Sequence, residues 1–509
     1  MISSKTVRRA LFILFSLTLL SAGCVRINER QQTEQRQSWN SYVDEFLEAY
    51  FVAHPDFAVR AGRHEFDGRL PDWSAGGIAK EVSRLRSEKE RVAKFRDLNE
   101  SDSFERDYLD AVIDADLFWL DSAEWPFRCP QFYADGIDPD VYVSRQYAPV
   151  SQRIVAYTRY AKAVPAALQE IRKNLRTPLP RTFVNIGQTT FGGLASFYEK
   201  EVPAIFASVK DEQLQKEFRE ANGAAIGAIK DLDKWFKSQE ASATNTFAIG
   251  PEKFSEMLRR TEGVEVRLDE LEGIGRRDLQ RNLAALKEAC SAYAPGVTVP
   301  DCVARANAHK PVGGVEMARK QLDDLKAFIL DKKVVTIPGT EEARVAEAPA
   351  YRRWNFAYIN IPGPFEKGLP SVYYMAPPDP TWPQAEKDAY VLGQGRLLFT
   401  SVHEVWPGHF LQFLHAQQAD SKLGQLFVGY AFAEGWAHYS EEMMWEAGLG
   451  NGLPEMRIGQ LLEALLRDVR FVSAISMHTG KMTVEESEMM FREQGFQDPA
   501  KARQQAARG

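Results

Sequence analysis

The sequence predicts a mainly α-helical protein with one small antiparallel β-ribbon. Apolar residues recur at three- and four-residue steps, the period of a helix with one buried face, in five long segments: 76–98, 102–122, 209–238, 268–291 and 314–333. Strand signals are few, since only two short segments are rich in aromatic and β-branched residues. A chain of 509 residues with 44% hydrophobic and 26% charged residues can bury a substantial core.

The first 24 residues carry the pattern of a bacterial lipoprotein signal. A positively charged start precedes the apolar run 10–20, which is too short to span a membrane and leads into Leu20-Ser21-Ala22-Gly23-Cys24. We therefore expect cleavage before Cys24 and lipidation of its thiol, which would anchor the protein to a membrane. The alternative is an ordinary cleaved signal followed by a chance cysteine.

The rest of the chain divides into a tether, a body and a tail. The polar, Gln-rich segment 25–38 is predicted to link the anchor to a helical domain over 39–495, and 496–509 is predicted to be a polar C-terminal tail. Arg26 favours the outer membrane of a Gram-negative cell envelope, with the domain facing the periplasm or the surface. The net charge of −7 gives no sign of nucleic-acid binding, and the oligomeric state stays open.

Three more cysteines follow in a chain that is expected to be exported. Cys290 and Cys302 bracket a turn that contains Pro295 and Gly296, so we predict a disulfide between them. Cys129 is then unpaired and is expected to be a buried apolar residue.

The two strand-like segments, 356–361 and 371–375, are predicted to form the ribbon. The loop 362–370 between them is rich in turn-forming residues, and a third strand could come from elsewhere. The edge of this ribbon could take an extended peptide as an added strand, or the ribbon could be a simple structural hairpin. Tyr373 on its second strand is a candidate contact for a substrate.

Three helices are predicted after the ribbon, over 383–418, 425–447 and 454–478. The first carries the motif His403-Glu404-Val405-Trp406-Pro407-Gly408-His409, and the second carries Glu434-Gly435-Trp436-Ala437-His438-Tyr439. Five of the eight histidines of the chain lie within these helices. Such clustering in a histidine-poor chain indicates a functional site.

The spacing of the first motif argues against an unbroken helix. A six-residue step turns through about 600°, which leaves His403 and His409 about 120° apart and unable to share a metal ion. Pro407 removes a backbone donor and clashes with the preceding turn, while Gly408 permits unusual backbone angles. We therefore predict a local break between Trp406 and His409 that returns His409 to the face of His403.

With that break, the motif becomes a catalytic zinc site. His403, His409 and Glu434 are predicted to bind Zn²⁺, and Glu404 is predicted to accept a proton from a zinc-bound water as general base. The alternative is a set of hydrogen-bonded histidines in an ordinary helical core.

Supporting roles are predicted for residues near this motif. Tyr374, Tyr439 and His478 are candidates for the donor that stabilises an oxyanion, although each could be a packed core residue. Arg467 and Arg470 could bind a substrate carboxylate, or form ion pairs with Glu441, Glu442 or Glu463. His438 is expected to lie near the site without binding the metal. Histidines 54, 64, 309 and 415 are expected to be structural.

The chain resembles the bacterial "domain of unknown function 885" family over most of its length after residue 40. The resemblance rests on these motifs: His54-Pro55, Gly62-Arg63-His64-Glu65-Phe66-Asp67-Gly68-Arg69-Leu70-Pro71-Asp72, Phe247-Ala248-Ile249-Gly250, Tyr373-Tyr374, His403-Glu404-x-x-Pro407-Gly408-His409-x-Leu411-Gln412 and Glu434-Gly435-Trp436-Ala437-x-Tyr439. Many members of this family are envelope lipoproteins. The chain departs from the family pattern at 474–478, before His478, and at His438, where the family is usually apolar.

This family is similar to a distant branch of the gluzincin-type metallopeptidases, such as thimet oligopeptidase, angiotensin-converting enzyme and carboxypeptidase Taq. The similarity implies a two-lobed helical body with a deep central channel and a zinc site at its floor. It also implies a peptide or short oligopeptide as substrate.

The expected function is therefore that of a lipid-anchored zinc peptidase in the cell envelope. The alternatives are a non-catalytic envelope lipoprotein that keeps a metal or ligand site, and a zinc amidohydrolase that acts on cell-wall peptides. The intact Glu404 favours an enzyme, because a pure binding site has no need of a base beside its ligands.

Overall fold

A computed structural model of the protein describes residues 38–349, 352–353, 356–378 and 380–507. The predicted signal segment, the lipidation site Cys24 and residues 25–37 of the predicted tether lie outside the described residues. Within the described part of the chain, no helix is both long enough and apolar enough to cross a membrane. The predicted mainly α-helical class is confirmed.

The first half of the described chain is a group of helices around one large apolar core. This core joins buried residues between Trp39 and Phe236, with Leu423 added from the second half. The helices are α1 (38–53), α2 (Pro55–Ala61), α3 (Ala75–Val92), α4 (Glu100–Leu117), α5 (Trp125–Arg128), α6 (Ala134–Ile137), α7 (Asp140–Ser144), α8 (Val150–Asn174), α9 (Arg181–Lys200), α10 (Val202–Phe206) and α11 (Glu212–Gln239), with short helical turns at His64–Phe66, Phe118–Ser122, Pro130–Tyr133 and Glu240–Ser242.

The second half has two smaller cores, one under the sheet and one between the long helices α13 and α21. Its elements are α12 (Pro251–Glu262), α13 (Leu268–Tyr293), α14 (Val299–Ala308), α15 (Gly314–Lys332), β1 (Ala343–Glu347), β2 (Ala357–Asn360), β3 (Ser371–Met375), α16 (Gln384–Tyr390), α17 (Gln394–Glu404), α18 (His409–Gln417), α19 (Lys422–Leu426), α20 (Tyr430–Glu446), α21 (Pro454–His478), α22 (Val484–Glu493) and α23 (Pro499–Ala506). Residues from both halves line a cavity between them, as the predicted two-lobed body with a channel requires.

The predicted β-ribbon is present, but it belongs to a mixed sheet. Strands β2 and β3 pair antiparallel, and β1 pairs parallel with the other side of β3, giving the order β1-β3-β2. The antiparallel pair is as predicted, and β1 is the third strand that could come from elsewhere. Since β3 is the central strand, β2 is an edge, and it faces the cavity.

The predicted helix over 383–418 is three helices, α16, α17 and α18. Its first interruption is at Val391–Gly393 and its second is the Pro-Gly segment. Helix α17 crosses α21 at two glycines, where a Cβ added to Gly459 would lie 2.2 Å from the carbonyl carbon of Gly395. The two backbones therefore touch, which brings the side chains farther along both helices close together.

The predicted disulfide joins Cys290 and Cys302 with a Cα–Cα distance of 5.8 Å, and Cys129 is buried, as expected. The segment predicted as a polar tail, 496–509, differs from that expectation. It contains helix α23, whose Ala502 and Ala506 are buried against the core of the second half. Two alanines one turn apart are too weak an apolar signal to predict a docked helix.

Candidate metal centre

The Pro-Gly segment breaks the helix where the sequence predicts. Helix α17 ends at Glu404 and α18 begins at His409, and the Gly408 N–H donates to the Val402 carbonyl, six residues back, at 2.9 Å. The Trp436 Nε1–H of α20 donates to the Pro407 carbonyl at 2.8 Å and so ties the break to the neighbouring helix. A Cβ at position 408 would lie 1.8 Å from the His403 carbonyl oxygen, so only glycine fits this turn.

The break brings His403, His409 and Glu434 together. The Nε2 atom of His403 lies 3.6 Å from one oxygen of Glu434, and the Nε2 atom of His409 lies 3.9 Å from the other. One donor atom from each residue lies within 4.8 Å of the other two. The predicted return of His409 to the face of His403 is therefore confirmed.

Glu441 fixes the orientation of the His403 ring. It lies seven residues after Glu434 on the same face of α20, and its Oε1 is 2.8 Å from His403 Nδ1. Arg467 on α21 contacts the same oxygen at 3.3 Å, and His438 Nδ1 lies 3.8 Å from the other oxygen. Burial opposes the charge of Glu441, but Arg467 and His403 outweigh it and keep its pKa low. A carboxylate at Nδ1 leaves Nε2 of His403 to face Glu434.

A buried ion network continues from this point along α21. Arg467 pairs with Glu463 one turn earlier on the same helix, and Glu463 Oε1 accepts two hydrogen bonds from Arg396 of α17, at 2.9 and 2.7 Å. The predicted ion pairing of Arg467 with Glu441 and Glu463 is thus confirmed. Arg470 donates to Gln505 Oε1 at 3.2 and 2.6 Å, a partner that was not predicted.

Glu404 lies between the metal ligands and the sheet. Its Oε2 accepts the Ile359 N–H of edge strand β2 at 3.1 Å, and only 9% of the residue is exposed. Burial raises the pKa of Glu404 to about 7, with Glu434 adding to the effect and His403 opposing it. A carboxyl with this pKa can both accept and release a proton near neutral pH.

The two histidines differ in their protonation. Burial and Arg467 oppose the charge of His403, but the carboxylates of Glu434 and Glu441 raise its pKa to about 9. Burial and the neighbouring His403 lower the pKa of His409 to about 4, so its ring is neutral. Burial opposes the charge of Glu434, but His403 lowers its pKa to about 2.

The cluster opens into a cavity of about 690 Å³ between the two halves of the molecule. The three candidate ligands and Glu404 form part of the cavity wall. Edge strand β2, Arg467 and Glu463 also line the cavity. This volume is that of a site for a small molecule or a short peptide.

Several predicted supporting residues lie away from this cavity. Tyr373 is completely buried in the core under the sheet, and Tyr374 points to the opposite face of β3, where its ring packs on Tyr358 at 5.2 Å. Tyr439 is 59% exposed on the outer side of α20, and His478 stacks on Phe254 at the end of α21. None of the four is among the described residues that line the cavity, so nothing in its lining supports their predicted contacts with a substrate or oxyanion, which stay predictions.

The structure also shows site residues that sequence reasoning missed. Tyr430 lines the cavity one turn before Glu434, and its spacing of four residues from that ligand could have identified it. The same holds for Glu441, whose seven-residue spacing places it on the ligand face. Lys501, Gln504 and Gln505 of α23 also line the cavity, and no signal in the sequence relates them to the site.

The remaining histidines pair with polar groups elsewhere, as expected. His415 Nε2 lies 3.0 Å from the Thr336 carbonyl, and His54 and His309 lie 2.9 and 2.8 Å from glutamate oxygens. His64 lies between Asp67 of the first half of the chain and Glu366 of the second.

Comparison with known proteins gives a family and a fold but no activity. A family model described as a bacterial protein of unknown function, DUF885, matches residues 55–509. One similar solved structure is a candidate lipoprotein of unknown function from Shewanella oneidensis, with 20% identity, a TM-score of 0.75, and coverage of 92% of this chain and 89% of the other. Another is a candidate lipoprotein from Colwellia psychrerythraea, with 16% identity, a TM-score of 0.77, and coverage of 93% and 88%. No curated protein matches the chain.

Proposed function

The chain belongs to the bacterial DUF885 family of unknown function, and we propose from the site itself that this protein is a zinc-dependent peptidase. The observation that carries the proposal is the convergence of two imidazoles and one carboxylate beside the buried Glu404, at the wall of a cavity. The similarity of its motifs to the gluzincin peptidases supports the same proposal.

The donor set fits a zinc ion. Zinc bonds of roughly 2.0–2.2 Å in a tetrahedron place neighbouring ligand atoms roughly 3.4 Å apart. The two His–Glu distances, 3.6 and 3.9 Å, involve different oxygens of Glu434, and one donor atom from each residue lies within 4.8 Å of the other two. Small side-chain rotations therefore bring the three atoms to the zinc spacing. Two histidines and a glutamate leave the fourth position for water, as in catalytic zinc sites. A zinc ion bound there would supply a water of lowered pKa and would polarise the carbonyl of a peptide bond.

The residues around the ligands have separate tasks in this proposal. Glu404 accepts a proton from the attacking water and then passes it to the leaving amine, with the Ile359 N–H holding its other oxygen in place. Glu441 keeps the His403 ring in position, and Arg467 holds Glu441. Edge strand β2 supports a peptide as substrate, because an extended chain can add to an open strand edge with main-chain hydrogen bonds.

The test measures zinc content and peptide hydrolysis for the native protein and for Glu404→Gln. We expect about one zinc per chain in both, and hydrolysis roughly 10²- to 10⁴-fold slower in the variant, the usual share of a general base. Glu493→Gln, at an exposed position on α22, is the matched control and should leave both properties unchanged.

Other outcomes favour the alternatives. Stoichiometric zinc without cleavage of any peptide in a library would indicate a binding lipoprotein. Cleavage of muropeptides alone would indicate a cell-wall amidohydrolase. Failure to take up zinc at all would remove the metal centre from the proposal.

We also propose that the protein is lipid-anchored through Cys24 in the envelope of a Gram-negative bacterium, with the outer membrane as its expected location. The signal pattern supports this, as do the descriptions of the two similar structures as candidate lipoproteins. Labelled palmitate should be incorporated into the native protein and not into Cys24→Ser. Separation of the two membranes should place the native protein in the outer one.

A further inference from the structure

Seven arginine and lysine side chains line the cavity, against three glutamates. Most of these cations already have a carboxylate partner. Arg60, Arg145 and Arg352 pair with carboxylates behind the wall at 3.1, 2.6 and 2.8 Å, and Glu463 is shared between two further arginines. The cation with the most distant partner is therefore the one best placed to bind an anionic group of a substrate.

Helix α23 contributes a distinct part of this wall. Its two buried alanines hold one face of the helix against the protein core, while Lys501, Gln504 and Gln505 on the other side line the cavity. Gln505 accepts hydrogen bonds from Arg470 of α21, so the two helices together form a continuous polar surface.

Among the cations of the wall that pair with carboxylates, Lys501 has the longest distance to its nearest one. Arg467 is held by two carboxylates, and Arg396 donates two hydrogen bonds to Glu463. Lys501 pairs with Asp498 at 3.4 Å, and its side chain is only 19% exposed. Burial and the nearby Arg396 lower the pKa of Lys501, so an anion bound there would relieve an unfavourable charge.

The distance from the metal ligands suits a short extended peptide. Arg396, which repels Lys501, precedes His403 by seven residues on α17, roughly 10 Å along the helix. Arg470 follows Arg467 by three residues on α21, roughly 4.5 Å farther along. A peptide residue in extended form spans about 3.3 Å. The surface of α23 is therefore within reach of a group one to three residues beyond the bond to be cut.

We propose that Lys501, with the polar surface of α23 around it, binds the free C-terminal carboxylate of a short peptide. Peptides would then enter with their C-terminus against α23, and hydrolysis would release one to three residues from that end. The cleavage part of this inference rests on the proposed peptidase function, whereas the binding part does not.

Binding is tested on the metal-free protein, so that it does not depend on hydrolysis. The probes are N-acetyl-dialanine as the free acid and as the amide, with affinities measured by calorimetry. We expect the acid to bind roughly 10- to 100-fold more tightly, the range for a hydrogen bond to a charged group. Equal affinities would overturn the proposal. A third probe is a dipeptide amide whose last residue is glutamic acid. If it binds as tightly as the free acid, the proposal is also overturned, because a side-chain carboxylate would then bind as well as a C-terminal one.

The matched variants are Lys501→Met and Lys320→Met, the second at an exposed position on α15. Lys501→Met should bind acid and amide equally while its affinity for the amide is unchanged, and Lys320→Met should behave as the native protein. Lys501→Arg should keep at least part of the preference. If Lys501→Met does not fold, Lys501→Gln replaces it, because a preference for the acid in the native protein alone would not distinguish Lys501 from Arg470 in the same wall.

Rates of hydrolysis, compared with the binding preference, separate this inference from the proposed function. Hydrolysis of acid and amide at equal rates would keep the peptidase and overturn the carboxylate site. A preference for the acid in the metal-free protein without any hydrolysis would keep the carboxylate site and overturn the peptidase.

Discussion

Two clusters of histidine and carboxylate, one around His64 and one around His403, have similar composition and different geometry. In the first cluster, which joins the two halves of the chain, His64 Nδ1 lies 3.1 Å from Asp67, its Nε2 lies 3.4 Å from Glu366, and its ring stacks on Tyr147 at 3.6 Å. In the second cluster, His403 has a carboxylate at Nδ1 and turns its Nε2 towards another histidine and Glu434.

The difference lies in whether a second imidazole joins the cluster. Burial opposes the charge of His64, but the carboxylates at its two nitrogens raise its pKa to about 9. Both nitrogens of His403 also face carboxylates, and its pKa is likewise raised to about 9. His409, in contrast, lies beside His403 and is kept neutral. A metal site therefore requires donors that meet at one point, and carboxylates close to histidines are not enough.

The largest expected effect comes from comparing His403→Ala with His64→Ala. The zinc affinity of His403→Ala should fall by more than roughly 100-fold, the cost of removing a residue that contacts a ligand rather than the metal, and peptide hydrolysis should fall to background. His64→Ala should keep its zinc and lose stability only. Metal analysis after dialysis and thermal unfolding check the two outcomes, and equal zinc loss in both variants would contradict the distinction.

Gly408→Ala should have the next largest effect, because a methyl group there would lie 1.8 Å from the His403 carbonyl oxygen. The turn must move, His409 moves with it, and we expect a loss of about 1–3 kcal/mol in stability together with weaker zinc binding. Gly435→Ala on α20 is the control, since nothing lies within 4 Å of an added Cβ there. Chemical denaturation and zinc titration measure both. A Gly408→Ala protein with native zinc affinity would show that the turn does not set the ligand geometry.

Glu441→Gln tests the carboxylate that lies at Nδ1 of His403. The amide keeps the shape of the side chain and removes the charge that orients and polarises the imidazole, so zinc affinity should fall about 10- to 100-fold. Glu442→Gln, next in the chain and paired with Arg281 on the surface, should leave it unchanged. Competition with a zinc chelator gives the affinities, and equal values for the two variants would assign Glu441 a merely structural role.

The smallest effect concerns pH and the His64 cluster. Because the pKa of His64 is raised from 6.5 to about 9, its stabilisation is fully present below pH 6.5 and is lost as pH rises through about 9. We expect the native protein to lose about 1–3 kcal/mol over that range from this group, allowing for partial solvent screening. Urea denaturation at pH 6 and pH 9.5 measures the loss, and His64→Gln should reduce it. An unchanged pH dependence in His64→Gln would place the stabilisation elsewhere.

The sequence predicts the convergence of His403 and His409 well because its constraint is local. Proline followed by glycine cannot continue a helix, so the break and the return of His409 follow from four adjacent residues. The disulfide between Cys290 and Cys302 follows from a turn in the same way. Both predictions depend on short-range geometry that the chain carries in its own backbone.

The supporting residues were predicted less well because their roles depend on packing. Tyr439 follows Glu434 by five residues, a turn of about 140° that places it on the outer side of α20. Tyr373 and Tyr374 alternate across β3, and the sequence does not state which face the core covers. The contribution of α23 depends on a long-range contact that two alanines do not reveal.

The glycine crossing of α17 and α21 has a consequence for how the site can be adjusted. Gly395 precedes His403 by eight residues, and Gly459 precedes Arg467 by the same number, so both side chains stand roughly 12 Å from the crossing on helices that run in the same direction. The two side chains are therefore equally far from the crossing. A bulkier residue at either glycine would push the two helices apart and so increase the distance between the His403 imidazole and the Arg467 guanidinium, although it would contact neither group.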